Sequence, residues 1–166
     1  MATDENLMSA FAGESQANRK YLAFAKKADA DGLKQIARLF RAAAAAETVH
    51  AHAHLRVAGQ VKDTVTNLQA AIAGEHHEFT TMYPDFIAGA VAEGRKAAQA
   101  SFERANAVEQ VHHALYSQAL AAAQAGGDLP TADMYVCDVC GYTVAGEAPE
   151  VCPVCGARHD RFMRVD

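Results

Sequence analysis

Acidic and histidine side chains recur along this chain as Glu14, Glu47-x-x-His50, Glu75-x-x-Glu78 and Glu109-x-x-His112, each inside a stretch whose apolar residues repeat at helical spacing. Residues at i and i+3 share one face of a helix, so each pair presents two polar groups to the same point. In the first stretch Leu7, Phe11, Glu14, Asn18, Tyr21, Ala25 and Ala28 form one stripe, before Asp31-Gly32 supplies a stop signal. The second stripe is Leu33, Ile36, Phe40, Ala43, Glu47, His50, His54 and Val57, ending near Gly59. The third carries Leu68, Ala71, Glu75, Glu78 and Met82, and the fourth Phe102, Ala105, Glu109, His112, Tyr116 and Ala119. Each predicted helix therefore points acid toward the core. The pattern predicts an all-α four-helix bundle, with short antiparallel connections near Asp31-Gly32 and Glu93-Gly94 and a longer crossing over 59–67. Pro84 lacks a backbone donor and clashes with the preceding turn, so it predicts a kink or break after the third set of acids.

An unpaired buried carboxylate is costly because its charge loses hydration, so inward glutamates in one bundle require a compensating positive charge. Two metal ions supply it. Oxygen-rich ligands with a few imidazoles suit iron or manganese better than structural zinc. The predicted ligands are Glu14, Glu47, His50, Glu75, Glu78, Glu109 and His112. This arrangement is already described for di-iron carboxylate bundles, which also combine lone glutamates with Glu-x-x-His pairs. His54 lies one turn beyond His50 and reads as a supporting or core group, while His52, His76, His77 and His113 fall off the stripes and read as exposed. Tyr116 reads as core packing. Tyr21 and Tyr83 can hydrogen-bond ligating carboxylates or supply a proton.

All four cysteines fall near the end of the chain, as Cys137-x-x-Cys140 and Cys152-x-x-Cys155. A glycine follows the second cysteine of each pair, which lets the backbone turn toward the sulfurs. Four thiolates make a tetrahedral site for a redox-active iron or a structural zinc, and the spacing alone does not choose between them. The shift from Ala-rich helices to cysteine knuckles passes through Gly126-Gly127-Asp128-Leu129-Pro130. We therefore expect a helical domain over 1–125, a linker over 126–134 and a four-cysteine domain over 135–166. The formal charge of -5 offers no basic stripe for nucleic acid, and the apolar runs are too short to span a bilayer. The start Met1-Ala-Thr-Asp-Glu-Asn lacks the pattern of a secretory signal, so a reducing cytoplasmic setting is expected.

Read together, both halves resemble rubrerythrin, a ferritin-like di-iron bundle followed by a rubredoxin-like domain. The likeness is carried by Phe11-Ala-Gly-Glu14-Ser-Gln-Ala, Glu47-Thr-Val-His50, Ala73-Gly-Glu75-His-His-Glu78 leading to Met82-Tyr83-Pro84, Glu109-Gln-Val-His112, and the Cys152-Pro-x-Cys155-Gly knuckle. The resemblance implies two non-haem irons in the bundle and one iron on Cys137, Cys140, Cys152 and Cys155, with zinc as a substitute in the last site. It also implies that Glu78 exchanges with His50 as one iron changes oxidation state. The implied activity is a non-haem peroxidase that reduces hydrogen peroxide to water in oxidative stress defence. Its electrons would come through the rubredoxin-like iron from a separate NAD(P)H-dependent reductase.

Glu109 precedes the end of its helix by a distance of about 24 Å at the α-helical rise. A nine-residue linker can span about 30 Å but would need an unusual path to return. The expectation is therefore a head-to-tail homodimer in which each rubredoxin-like iron serves its partner's di-iron site. Two alternatives stand beside the peroxidase: a ferroxidase or iron-handling protein that uses oxygen, and a helical interaction protein with a structural zinc ribbon.

Overall fold

The computed structural model describes residues 1–165. They fall into two compact units, Met1–Lys62 and a second that begins at Asp63.

The first unit is a hairpin of α1 (Ala2–Ala30) and α2 (Lys34–Val57). Its seam is built from small side chains, since Ala25, Ala28, Ala37, Ala44 and Ala51 are all buried. Ala37, Ala44 and Ala51 recur every two turns, so one face of α2 stays narrow enough for α1 to approach closely. Polar bonds fix the register. Asn18 Nδ2 donates to Ala44 O at 2.6 Å and to Thr48 Oγ1 at 2.8 Å, while the Arg41 guanidinium pairs with Asp29 at 2.7 Å. The rings of Tyr21, Phe24 and Phe40 pack together beside the turn.

The second unit opens with α3 (Thr64–His77), whose N-cap Asp63 accepts from Thr66 N at 3.0 Å and from Thr66 Oγ1 at 2.7 Å. Pro84 does not break the chain here. Glu78–Met82 forms a π-helical turn, and α4 (Tyr83–Ala92) follows with Pro84 in its first turn, where no intrahelical donor is needed. The wider turn absorbs the hydrogen bond that a regular helix would have lost, so the predicted interruption takes the form of a local change of pitch. Both α3 and α4 pack on α5 (Lys96–Gln124).

At the end of α5 the chain reverses. Gly126 adopts φ 78°, its N–H donating to Ala123 O at 3.0 Å, and Gly127 N–H donates to Ala122 O at 3.0 Å. This double bond pattern needs a left-handed residue, which glycine supplies without steric cost. The chain then enters a small antiparallel sheet of β1 (Met134–Cys137), β2 (Thr143–Ala145) and β3 (Phe162–Val165), in the order β2-β1-β3. Tyr142 packs edge-on against Phe162, and Arg161 Nε binds Asp138 Oδ1 at 2.7 Å across the knuckle.

The path back along α5, judged unusual from helix length alone, is the one taken. The chain's own cysteine domain lies against α5: a Cβ on Gly141 would sit 3.6 Å from Val108 Cγ1, and Val108 is 2% exposed. His112 Nε2 meets Thr143 Oγ1 at 3.0 Å. The distance premise behind head-to-tail wiring is therefore not met, because the glycine cap turns the linker back along the helix it has just left. No helix among the described residues is long and apolar enough to cross a membrane.

Candidate metal centres

The two units repeat one chemical design. In the first, ligand atoms of Glu14, Glu47 and His50 all lie within 4.8 Å of one another, with Glu47 Oε2 3.0 Å from His50 Nδ1. In the second, Glu75, Glu109 and His112 form an equivalent group, also within 4.8 Å. His112 Nδ1 there lies 2.8 Å from Glu109 Oε2 and 3.8 Å from Glu75 Oε1. Each unit thus contributes one lone glutamate and one Glu-x-x-His pair, and the pair meets because i and i+3 share a helix face.

The electrostatics ask for a cation. Burial pushes the Glu75 carboxyl up, and the hydrogen bond and charge of Glu109 push it further, against the opposing pull of His112 and His113. Two carboxylates held this close cannot both remain ionised at low cost unless a positive ion sits between them. Hard oxygen donors with an imidazole match iron, so these donor sets fit the metal.

Glu78 lies outside the Glu75, Glu109 and His112 group, at the junction of α3 and the π-helical turn. It still acts on Tyr83, whose phenol is pushed up first by burial and then by the charges of Glu109, Glu78 and Glu75. Tyr83 therefore lies within electrostatic reach of the carboxylates of its own unit. Tyr21 is held in the ring cluster with Phe24 and Phe40. Tyr116 is exposed at 38%, not packed in a core. His54 is half-buried and outside both ligand groups, while His52, His76 and His77 are exposed as expected. His113 differs from expectation: it is half-buried, its ring 5.5 Å from Phe79 and 5.8 Å from His76.

All four cysteines converge. Cys137 Sγ is 3.7 Å from Cys155 Sγ, and Cys140 Sγ is 3.5 Å from Cys152 Sγ. A metal–sulfur bond of about 2.3 Å gives a tetrahedral edge of about 3.8 Å, so the sulfurs already stand near the corners such an ion requires. Gly141 N–H returns to Cys137 O at 2.8 Å and Gly156 N–H to Cys152 O at 2.9 Å, which closes each knuckle. Burial pushes the Cys140 and Cys155 thiols up. Burial acts on Cys152 in the same sense, but the backbone N–H groups of Cys155 and Val154 bring its thiol below the ordinary value. A metal ion is what lets all four carry charge together.

Thr143 and Val108 went unnoticed in the sequence. Thr143 sits in a short strand without periodicity, and Val108 is one apolar residue among many.

Paired carboxylates and imidazoles on long helices, followed by a four-thiolate knuckle on a small sheet, define the ferritin-like non-haem iron oxidoreductases with a rubredoxin-like tail. The family model for rubrerythrin matches residues 5–120, and that for the rubredoxin-like domain of rubrerythrin matches 135–163. Rubrerythrin-2 of Clostridium acetobutylicum is 36% identical, over 97% of this chain and 95% of its own length. Nigerythrin of Nitratidesulfovibrio vulgaris is 40% identical, over 97% of this chain and 85% of its own. A solved structure of nigerythrin in a mixed-valence state aligns at a TM-score of 0.59 and 37% identity, covering 98% of this chain and 86% of that one. The chain belongs to the rubrerythrin family. Its cofactors are those of the family, a di-iron site in the bundle and an iron on the four cysteines.

Proposed function

We propose that this protein is a peroxidase that reduces hydrogen peroxide to water, with electrons delivered through the four-cysteine site from a separate NAD(P)H-dependent reductase. One observation carries the reading: matched Glu, Glu and His groups stand in both units, and the second of them is hydrogen-bonded to the four-cysteine domain. Glu14, Glu47, His50, Glu75, Glu78, Glu109 and His112 would hold the two irons, and Cys137, Cys140, Cys152 and Cys155 the third. When bound, a ferrous pair supplies two electrons together to an O–O bond, which avoids a free radical product. The side chains of this chain do the rest. Tyr83, its phenol kept protonated by burial and by the surrounding acids, holds a proton beside the carboxylates. His50 and Glu78 are the pair proposed to exchange as one iron changes oxidation state.

The reading includes a homodimer, a cytoplasmic setting suited to thiolate ligands, and the division into a bundle over 1–125, a linker over 126–134 and a rubredoxin-like domain over 135–166. Electron delivery is proposed to run within one chain, from its own cysteine domain to its own α5. Stopped-flow mixing of the reduced, iron-loaded protein with hydrogen peroxide and, separately, with oxygen tests the activity. Fast oxidation of both centres by peroxide and slow oxidation by oxygen is expected. Faster reaction with oxygen, or a four-cysteine centre whose colour never changes, would overturn it.

A further inference from the structure

We propose that Thr143 is a positioning residue for the bundle metal site, holding the His112 ring from the cysteine domain so that docking of that domain and orientation of a metal ligand are one event. The inference rests on the reading of His112 as a ligand.

One set of donor and acceptor roles satisfies every atom of the cluster. Thr143 has one hydroxyl hydrogen, and Gly141 O lies 3.0 Å from Thr143 Oγ1, positioned to accept it. With that hydrogen committed, Thr143 Oγ1, 3.0 Å from His112 Nε2, is placed to accept Nε2–H, the tautomer that leaves Nδ1 free for a metal ion. The opposite nitrogen, Nδ1, is then turned toward Glu109 Oε2 at 2.8 Å and Glu75 Oε1 at 3.8 Å. In that tautomer Nδ1 and Glu109 Oε2 both offer lone pairs, and a metal ion held by the two residues would relieve their repulsion.

The anchor for this threonine is rigid. Thr143 pairs with Val136 in the sheet, one residue before the ligand Cys137, whose N–H donates to Tyr142 O at 2.9 Å. Gly141, the acceptor of the threonine hydroxyl, directly follows the ligand Cys140 and rests on Val108, one turn before His112. Two residues, Gly141 and Tyr142, therefore separate the cysteine Cys140 from the threonine whose hydroxyl holds the histidine. A partner that orients a ligating histidine typically contributes 10–100-fold to metal affinity.

The test uses the full-length protein with zinc in the four-cysteine site and histidine labelled with nitrogen-15. A slowly exchanging ring N–H, assigned by its loss in His112→Gln, is expected in the native protein and in Thr143→Ser. It should exchange rapidly in Thr143→Val, which keeps shape and strand propensity but removes the acceptor. Cobalt(II) titrated into the bundle should bind about 10–100-fold more weakly in Thr143→Val, with Thr143→Ser near native affinity. An unprotected ring N–H in the native protein overturns the inference without any variant. So does unchanged cobalt affinity in Thr143→Val, or failure of serine to rescue. Neither readout uses peroxide turnover, so this inference and the peroxidase reading fail independently.

Discussion

Asp63 holds the start of α3 through one side chain that accepts from both the backbone and the hydroxyl of Thr66. Those bonds, the hydroxyl first, keep its carboxyl below the ordinary range. A depressed carboxyl adds stability that is present above its unfolded value of about 3.9 and is lost as pH falls through the lower folded value. Asp63→Ala should therefore speed amide exchange in the first turn of α3 at neutral pH, and the gap from the native protein should close below about pH 4. A pH-independent gap would show that the charge contributes nothing. Val108 acts at the same scale but through packing. Truncation to alanine removes apolar contact beneath Gly141 and should cost about 1–3 kcal/mol, read as a lower urea midpoint at unchanged slope. The residues proposed as metal ligands were legible in the sequence because i and i+3 spacing is a local property of a helix. Thr143 was not, because what makes it matter is a partner 31 positions away.

At the scale of elements, the narrow seam of α1 and α2 depends on alanine. Ala44 is 1% exposed at the middle of that seam. Ala44→Leu should lower stability by about 1–3 kcal/mol through overpacking, measured by thermal unfolding, whereas the same change at the exposed Ala42 should be nearly neutral. The π-helical turn over Glu78–Met82 gives the third helix its special phase. A π turn is one residue wider than an α turn, so deletion of the exposed Thr80 should restore a regular helix and rotate Glu75 and Glu78 away from Tyr83 by about 100°. Iron analysis of that variant should show loss of bundle iron, with the four-cysteine iron and the helical circular dichroism retained. Full bundle occupancy would mean that the turn has no part in placing the ligands. The sequence marked this spot through Pro84 but not its outcome. A proline states only that one hydrogen bond is missing, and a break, a kink and a wider turn all satisfy that.

For the molecule as a whole, the route proposed for electron delivery rests on where the cysteine domain docks. Since that domain contacts α5 of its own chain, a bundle-dead chain (Glu47→Ala, Glu109→Ala) mixed with a cysteine-dead chain (Cys137→Ser, Cys140→Ser) should give no recovery of peroxide turnover in confirmed heterodimers. Recovery would mean that the cysteine domain serves a partner instead. The sequence by itself determined the helical stripes, the acids and imidazoles upon them and the four-thiolate site. All of these are set within a few turns or one knuckle, where covalent geometry fixes which side chains share a face. Only the tertiary structure decided that the linker doubles back, that Thr143 reaches His112 and that Glu78 falls outside the Glu75, Glu109 and His112 group. Those outcomes depend on a left-handed glycine cap and a change of helical pitch. Each is a small local event whose effect appears only after the chain has run on for tens of residues.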